Sequence, residues 1–291
     1  MIINGTEIED TFAEAFGMTA TRVIITAVDI RWARIAAETM TGFATSVIGC
    51  GVEADIGEDI PPDASPDGRP AVSVLVFGMS GDSLAKHLQN RVGQCVLTCP
   101  TTAIFAGMHG PKQIPLGKNL RFFGDGYQLS KQISGRRYWR IPVMDGEFLC
   151  EEYTARQGAV GGGNFLVLAD SQQQALTACE RAVAAMRALP DVILPFPGGI
   201  VRSGSKVGSK YKSLMASTNQ AYCPTLRGLT ASNLDPGMDA VLEIVVNGEL
   251  LTPRQKLSAV GFAQQAKNSD ALGGRLFSIA CYRLCVFSVI V

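Results

Sequence analysis

Residues 22–50 read RVIITAVDIRWARIAAETMTGFATSVIGC, and this stretch has the pattern of a strand, a helix and a second strand. Residues 22–27 are mostly β-branched, which favours a strand. In residues 30–41 the apolar side chains recur at helical spacing, and Gly42 is placed to end that helix. Residues 44–50 predict the second strand. The stretch therefore predicts a βαβ-like unit near the N-terminus.

A second unit of the same kind occurs later in the chain. It has a strand at 165–169 (FLVLA), a helix at 171–189 and a short strand at 192–194 (VIL). Asp170 or Ser171 is a natural N-cap for that helix, and Pro190 ends it. Further predicted elements are a strand at 72–77, a helix at 83–97, β-rich sequence at 120–148 and a strand at 241–246.

Two βαβ-like units with extra strands predict an α+β fold made of two ferredoxin-like α/β-sandwich lobes with mainly antiparallel sheets. Charged residues and glycines interrupt the patterning near residues 147–160. We therefore place an N-terminal lobe at 1–147 and a C-terminal lobe at 148–291. A doubly wound parallel sheet is the alternative, but it requires a more regular alternation of strands and helices.

The composition excludes several classes of protein. The chain has 291 residues, 26 basic and 26 acidic, and 47% of them are hydrophobic, so it is not a disordered chain. A neutral net charge disfavours nucleic-acid and membrane-surface partners. The N-terminus lacks the pattern of a signal peptide, and the apolar run at 276–291 is shorter than a membrane span and contains Arg283. We expect a cytoplasmic protein without a nucleic-acid or membrane partner.

Eight cysteines in a chain of this length do not form the pattern of a secreted disulfide framework. Neither Cys95 with Cys99 nor Cys281 with Cys285 forms a C-x-x-C pair, and the two histidines fit no ligand pattern around them. We therefore expect buried apolar thiols and no metal site.

The glycine-rich stretch 198–210 (GGIVRSGSKVGSK) resembles a phosphate-binding loop only superficially. The P-loop motif requires a lysine directly after its second glycine, whereas Ser205 follows Gly204. The backbone amides, hydroxyls and ammonium groups of this stretch can still hold carboxylates or phosphates. A flexible solvated loop is the alternative. Glycines 161–163 precede a predicted strand, so the dinucleotide-binding motif, which follows a strand, is excluded.

Glu243 is the most informative single residue, because it lies amid aliphatic residues in the predicted strand AVLEIVVNG at 240–248. Strand alternation places Glu243 on one face with Val241 and Val245. On an exposed face Glu243 is solvated. In an apolar pocket, loss of hydration raises its pKa and makes it a general acid–base near neutral pH. The strand pattern alone leaves both possibilities open.

Several longer segments together resemble one family, the formylmethanofuran–tetrahydromethanopterin formyltransferases, in the form found in methylotrophic bacteria. The segments that carry the resemblance are 4–16 (NGTEIEDTFAEAF), 66–70 (PDGRP), 93–105 (GQCVLTCPTTAIF), 122–127 (FFGDGY), 195–210 (PFPGGIVRSGSKVGSK), 216–219 (ASTN) and 223–225 (CPT). They occur in the family's order from the N-terminus to about residue 248.

The resemblance implies a cytoplasmic one-carbon enzyme of the acyltransferase class, in the context of formaldehyde oxidation. It implies formyl transfer between tetrahydromethanopterin and methanofuran or an analogue, with both as carrier substrates and no bound cofactor. It also implies a homotetramer built as a dimer of dimers. In methylotrophic bacteria such a protein is similar to a subunit of a formyltransferase/hydrolase complex.

The resemblance also implies roles for particular residues. The family's key acid lies in a strand reading E-I-V-x-N-G, and Glu243 matches it, which favours a catalytic general acid–base acting through a tetrahedral intermediate. We expect the anionic carriers to bind at the glycine-rich stretch. The candidate binding residues there are Gly198, Gly199, Ser205, Lys206 and Lys210.

The sequence departs from the family's pattern over about residues 249–291. Residues 252–266 can form the helix that the family has there, but no segment matches its final strand. We therefore expect an unpaired sheet edge in the lobe of Glu243, unless the apolar tail at 276–291 fills the gap, binds a partner or promotes aggregation. This departure leaves a second hypothesis, a weak or inactive homologue that acts as a binding or scaffold subunit of the complex. A general anion-binding protein is a third.

Overall fold

The computed structural model describes residues 2–3, 6–9, 16–204, 206–249 and 278–280. It divides into two compact units, Gly17–Ala159, which we call the first lobe, and Val160–Val291 with Met1–Phe16, which we call the second lobe. The sequence predicts a boundary at 147/148, and in the structure the units change over between Ala159 and Val160. The N-terminal strands β1 (Ile2–Ile3) and β2 (Thr6–Glu9) group with the second lobe.

The first lobe is built on a βαββαβ unit with a short extra helix. Its elements are β3 (Phe16–Thr26), α1 (Ile30–Thr41), α2 (Val47–Cys50), β4 (Glu53–Ile60), β5 (Ala71–Gly78), α3 (Gly81–Arg91) and β6 (Ala103–Ala106). The strands lie in the order β6–β3–β5–β4, and each neighbouring pair is antiparallel. This is the ferredoxin-like order predicted from the sequence.

Helix α1 forms where the sequence predicts it, whereas the prediction of a strand at 44–50 is wrong. Asp29 Oδ1 accepts a hydrogen bond of 2.9 Å from the Trp32 amide and so caps α1. After α1, Ser46 caps the short helix α2, which ends at Gly51 in the left-handed conformation (φ 77°). The second strand of the unit therefore begins later, at Glu53.

The rest of the first lobe is β-rich, as predicted for residues 120–148. Its elements are β7 (Gln113–Pro115), α4 (Gly117–Leu120), β8 (Leu129–Ile133), β9 (Arg136–Val143), β10 (Gly146–Glu151) and β11 (Tyr153–Ala155). Strands β8, β9 and β10 form an antiparallel meander, and β10 joins β6 in parallel. Strand β11 pairs with β7 in a separate antiparallel ribbon.

The second lobe repeats the same strand order. Its elements are β12 (Gln157–Ala169), α5 (Gln172–Arg187), β13 (Val192–Ile193), β14 (Lys206–Val207), β15 (Ala216–Ser217), β16 (Ala240–Glu249) and β17 (Ser278–Ala280). The sheet runs β2–β17–β12–β16–β13. Within it, β17 occupies the place of the fourth strand of a ferredoxin-like unit.

Strand β17 supplies a last strand where the sequence pattern showed none, so of the outcomes expected for the C-terminal departure the structure has the one in which the tail fills the gap. Residues 278–280 pair antiparallel with β12, with Ala280 opposite Leu166 and Ser278 opposite Leu168. They lie within the apolar tail, so this part of the tail fills the gap. The helix predicted at 252–266 and the remainder of the tail, 281–291, lie outside the described residues.

Helix α5 covers one face of the second-lobe sheet. Ser171 caps the helix by accepting from the Gln174 amide, and the buried face of α5 packs against Val167 and Ile244. A smaller apolar cluster on the other face contains Leu166, Leu168, Leu234 and Met238. This second face is the one that carries Glu243. Among the described residues, no helix is long and apolar enough to cross a membrane.

Candidate active site

Glu243 is buried on the sheet face opposite helix α5. Its neighbours Leu242 and Ile244 pack into the cluster under α5, whereas Val241 packs against the cluster on the other face. Because strand residues alternate, Glu243 shares the face of Val241. Only 5% of the surface of Glu243 is exposed to solvent. Of the two possibilities that the sequence left open, the structure therefore has the buried one.

The two carboxylate oxygens of Glu243 have different surroundings. Oε1 accepts a hydrogen bond of 2.8 Å from Nδ2 of Asn164 on β12. Oε2 is buried and has no hydrogen-bond partner among the described residues. Burial raises the pKa of Glu243 above its ordinary value, and the Asn164 hydrogen bond opposes this rise. The arrangement favours a carboxyl that holds a proton at a higher pH than an exposed glutamate.

A small cleft of about 30 Å³ lies against Glu243, within the second lobe. It is lined by residues 201–204, 218–219, 222–223 and 241–243, together with Leu166. Val201 is fixed to the Glu243 backbone by two hydrogen bonds of 2.7 and 2.8 Å. These bonds bring the start of the glycine-rich stretch to the side of the carboxyl. The space is enough for a water-sized group and far smaller than a typical ligand pocket.

Gly204 allows the glycine-rich stretch to approach the segment at 216–223. Its φ of +74° is in the left-handed region, and a Cβ there would lie 3.0 Å from the Asn219 backbone nitrogen and from its Cβ. A larger residue at this position would push the two sides of the cleft apart. The adjacent candidate residue, Ser205, lies outside the described residues.

The two candidate lysines have different positions. Lys206 lies in the ribbon of β14 and β15, is half-buried, and donates from Nζ to Oε1 of Gln220. Lys210 is exposed. Neither lysine is among the residues that line the cleft beside Glu243. Lys206 is therefore two positions after Gly204, which lines the cleft, whereas Lys210 lies on the surface of the loop.

Gly198 and Gly199 form a turn at Pro197–Gly199 and do not line the cleft. Both have positive φ, 65° and 83°. Gly199 is buried, and a Cβ on it would lie 3.0 Å from both γ-methyl groups of Val183 on α5. Gly198 is exposed and has open space around it. The contacts of Gly199 are with the helix side of the sheet, which is the side away from Glu243.

Sequence reasoning missed the residues that surround the carboxyl. Asn164, which holds Oε1, follows the three glycines that were considered only as a dinucleotide motif. The cleft is also lined by Asn219, Tyr222 and Cys223. Asn219 and Cys223 belong to segments that carry the family resemblance, and Tyr222 lies next to one of them, but the sequence assigned no role to these residues. The Cys223 thiol donates to the Asn219 carbonyl at 3.3 Å. Among the described residues, no group of three or more His, Cys, Asp or Glu side chains is arranged to hold a metal ion.

The structure thus combines two α/β lobes with a buried carboxyl of raised pKa beside a small cleft in the second lobe, and a perturbed carboxyl in a cleft is a candidate for a functional site. Two family models match the chain: formylmethanofuran–tetrahydromethanopterin formyltransferase over residues 1–143, and the proximal lobe of that enzyme over residues 146–271. The chain belongs to the formylmethanofuran–tetrahydromethanopterin formyltransferase family and is a formyltransferase. The match extends to residue 271, beyond the point near 248 where the sequence resemblance was expected to end.

Curated relatives are similar over most of the chain. The formylmethanofuran–tetrahydromethanopterin formyltransferase of Methylococcus capsulatus is 65% identical over 248 residues, covering 85% of this chain and 83% of that protein. A formyltransferase/hydrolase complex subunit of Methylorubrum extorquens is 56% identical over 251 residues, covering 84% of this chain and 81% of that protein.

Solved structures agree with the fold. The crystal structure of the Methylorubrum extorquens formyltransferase/hydrolase complex with methylofuran contains a chain that superposes with a TM-score of 0.90 at 50% identity, covering 97% of this chain and 94% of that one. The formyltransferase of Methanosarcina barkeri superposes with a TM-score of 0.85 at 44% identity, covering 96% of this chain and 94% of that one.

Proposed function

We propose that this chain transfers a formyl group between tetrahydromethanopterin and methanofuran or an analogue, with Glu243 as the general acid–base. The observation that carries the mechanism is the Glu243 carboxyl, which is buried and has one oxygen held by Asn164 and the other without a partner among the described residues. Such a group is suited to accepting and returning a proton at a fixed position.

The reaction is an exchange of one amide for another. The acceptor nitrogen adds to the formyl carbon, and the carbonyl electron pair moves to oxygen, which gives a tetrahedral intermediate. Glu243 Oε2 takes the proton from the attacking nitrogen. It then delivers that proton to the departing nitrogen as the bond between carbon and the donor carrier breaks. Protonation is needed because an amine anion is a poor leaving group.

The raised pKa of Glu243 fits both halves of this cycle. A carboxyl at its ordinary pKa of 4.5 is a weak base and accepts and holds a proton poorly near neutral pH. Burial brings the pKa of Glu243 upward, while the Asn164 hydrogen bond keeps the ionised form accessible. The carboxyl can therefore act as base toward one nitrogen and as acid toward the other.

For carrier binding, we assign the anionic groups of the two carriers to the glycine-rich stretch. Lys206 is the best-supported anchor, because its ammonium donates to the neutral amide oxygen of Gln220, a partner that an anionic carrier group can replace. Lys210 and Ser205 extend the same stretch. Gly198 and Gly199 are better explained as shaping the turn that leads to it, since Gly199 packs on α5.

For assembly, we propose a cytoplasmic homo-oligomer, a dimer of dimers, that joins a formyltransferase/hydrolase complex. The 56% identity to a subunit of the Methylorubrum extorquens complex and the structural match to a chain of that complex support membership of such a complex. The cytoplasmic location and the dimer of dimers rest on the family resemblance. The net direction of transfer depends on the carrier pools as well as on the enzyme.

The test is a formyl-transfer assay with formyl-tetrahydromethanopterin and methanofuran on the parent protein and on Glu243→Gln. Glutamine keeps the shape and an oxygen for Asn164 but cannot exchange a proton as a carboxyl does, so we expect a loss of about 10²–10⁴-fold in kcat. Glu151→Gln is the matched control, because Glu151 is 4% exposed, lies in the first lobe and accepts from the Ala106 amide at 2.9 Å.

The outcomes separate the hypotheses. A large loss in Glu243→Gln with near-parent activity in Glu151→Gln supports the mechanism. Full activity in Glu243→Gln leaves the transferase but refutes this role of the carboxyl. A folded parent protein without transfer favours the scaffold-subunit hypothesis, and binding of polycarboxylates without any transfer favours a general anion-binding protein.

A further inference from the structure

Asn164 and Glu243 lie on neighbouring strands and on the same face of the second-lobe sheet. On β12, Phe165 and Val167 pack toward α5, whereas Leu166 faces the other way. Strand alternation places Asn164 on the face of Leu166, which is also the face of Glu243. Strands β12 and β16 are paired, and the asparagine Nδ2 lies 2.8 Å from Glu243 Oε1.

This contact makes the two carboxylate oxygens unequal. A carboxylate oxygen that accepts from an amide N–H is oriented by a donor that does not ionise in the working pH range of an enzyme. The other oxygen, Oε2, is buried and has no partner among the described residues. A buried polar atom without a partner carries a cost that a proton, or the proton of a substrate, removes.

We propose that Asn164 is a positioning residue that holds Glu243 by Oε1 and so directs all proton exchange to Oε2. This inference rests on the proposed function of Glu243 and extends it to a second residue. Holding one oxygen fixes the rotation of the carboxyl group, so that the proton leaves and returns at a single point. Fixed geometry of this kind is what a two-step proton transfer between different nitrogens requires.

Asn164 also keeps the pKa of Glu243 from rising further. Burial is the main cause of the raised pKa, and the hydrogen bond stabilises the ionised form against it. Loss of the donor therefore moves the pKa of Glu243 upward. The other titratable side chains that line the cleft are those of Arg202, Tyr222 and Cys223, and they are common to the parent protein and to every variant at position 164.

The experiment measures kcat and carrier KM against pH for Asn164→Ala, Asn164→Asp and Asn164→Gln. In Asn164→Ala we expect kcat to fall roughly 10-fold with little change in KM. We also expect the midpoint of the part of the pH profile that depends on Glu243 to shift to higher pH by about one unit. Asn164→Asp keeps the side-chain shape and also moves the limb upward, because a second carboxyl disfavours ionisation of the first. Asn164→Gln retains the amide and restores part of the rate.

Asn119→Ala is the matched control. The Asn119 Nδ2 donates to Gln89 Oε1 at 2.8 Å in the first lobe, so the donor and the length are the same but the acceptor is a neutral amide oxygen that does not titrate. We expect this variant to show the stability cost of losing such a bond while leaving the pH midpoint unchanged.

Two results would overturn the inference. A loss of activity in Asn164→Ala and Asn164→Asp with an unmoved pH midpoint would assign Asn164 to structure alone. An undiminished kcat in both variants would show that Asn164 has no role in positioning Glu243. The double variant Asn164→Ala/Glu243→Gln separates this inference from the function on which it rests. If Glu243→Gln alone lowers kcat by the expected factor of about 10²–10⁴, adding Asn164→Ala must lower it no further. If Glu243→Gln remains active, the proposed mechanism fails first, whatever the Asn164 variants do.

Discussion

Alanine substitutions at Gly198 and Gly199 should differ in their cost, although both glycines have positive φ (65° and 83°). A left-handed conformation costs an L-residue about 1–2 kcal/mol at either position. At Gly198 nothing else opposes a Cβ, because no atom lies within 4 Å of it. We therefore expect Gly198→Ala to lower the free energy of unfolding by about 1–2 kcal/mol.

Gly199→Ala adds a steric cost to the backbone cost. Its Cβ would lie 3.0 Å from Cγ1 and Cγ2 of Val183 and 3.3 Å from Cβ of Leu194. Overpacking a buried site by one carbon costs about 1–3 kcal/mol. We expect Gly199→Ala to lower the free energy of unfolding by about 2–5 kcal/mol, which combines both effects. The carrier KM should stay near the parent value while the protein is folded, since these contacts are with α5.

The assay must report on the second lobe. Both tryptophans, Trp32 and Trp139, are in the first lobe, so their fluorescence reports on that lobe and not directly on the second. Cys179 is buried in α5, and the rate at which its thiol reacts with an alkylating reagent follows opening of the second lobe. Equal effects of the two substitutions, or a larger effect of Gly198→Ala, would refute the packing argument. A raised KM in folded Gly199→Ala would return this glycine to the carrier site.

Three further predictions concern charge and reactivity. Lys206→Ala should raise the carrier KM with little change in kcat, as measured by initial rates; a change in kcat alone would contradict simple anchoring. Because folding raises the pKa of Glu243, the protonated carboxyl contributes its full stability below the ordinary pKa of 4.5, and this contribution is lost as the pH rises through the pKa of the folded protein. The urea midpoint of Glu243→Gln should therefore rise relative to that of the parent protein over this pH interval. An unchanged difference across pH would contradict the burial argument. Among the described cysteines, Cys50 should be alkylated before Cys179 when peptides are mapped by mass. Burial alone would raise the pKa of Cys50, but hydrogen bonds from the residues preceding its helix lower it, whereas burial raises the pKa of Cys179 to about 12. Faster labelling of Cys179 would contradict this order.

The helices were predictable because their signals are local. Asp29 and Ser171 are caps next to residues with helical periodicity, and both helices form there. The second strand of the first unit was not predictable from hydrophobicity. Strand β4 reads EADIGEDI, and its four acidic residues hide the strand pattern. The more apolar residues just before it form the short helix that Ser46 caps.

The candidate site was predictable only in part. Glu243 stood out because it is a charged residue in an apolar strand, but its burial depends on the covering residues around the cleft. The partner Asn164 is 79 positions away and meets Glu243 only through the pairing of β12 with β16. No local pattern encodes that register. Conversely, the pair Gly198 and Gly199 clearly indicated a loop in the sequence. In the structure Gly199 is a glycine because it packs closely against α5, and the sequence pattern alone does not distinguish this reason from a role in binding.

The pairing of β2 with β17 has a consequence for how the chain is made. Ile8 lies opposite Ile279 in a parallel arrangement, so two segments that are 271 positions apart in the sequence pair directly. The first lobe, Gly17–Ala159, can complete its sheet during synthesis, because all its strands emerge together. Strand β2, in contrast, must wait until residues 278–280 have been translated before its neighbour exists. A stop codon between the first lobe and residue 278 therefore also deprives strand β2 of its neighbour β17.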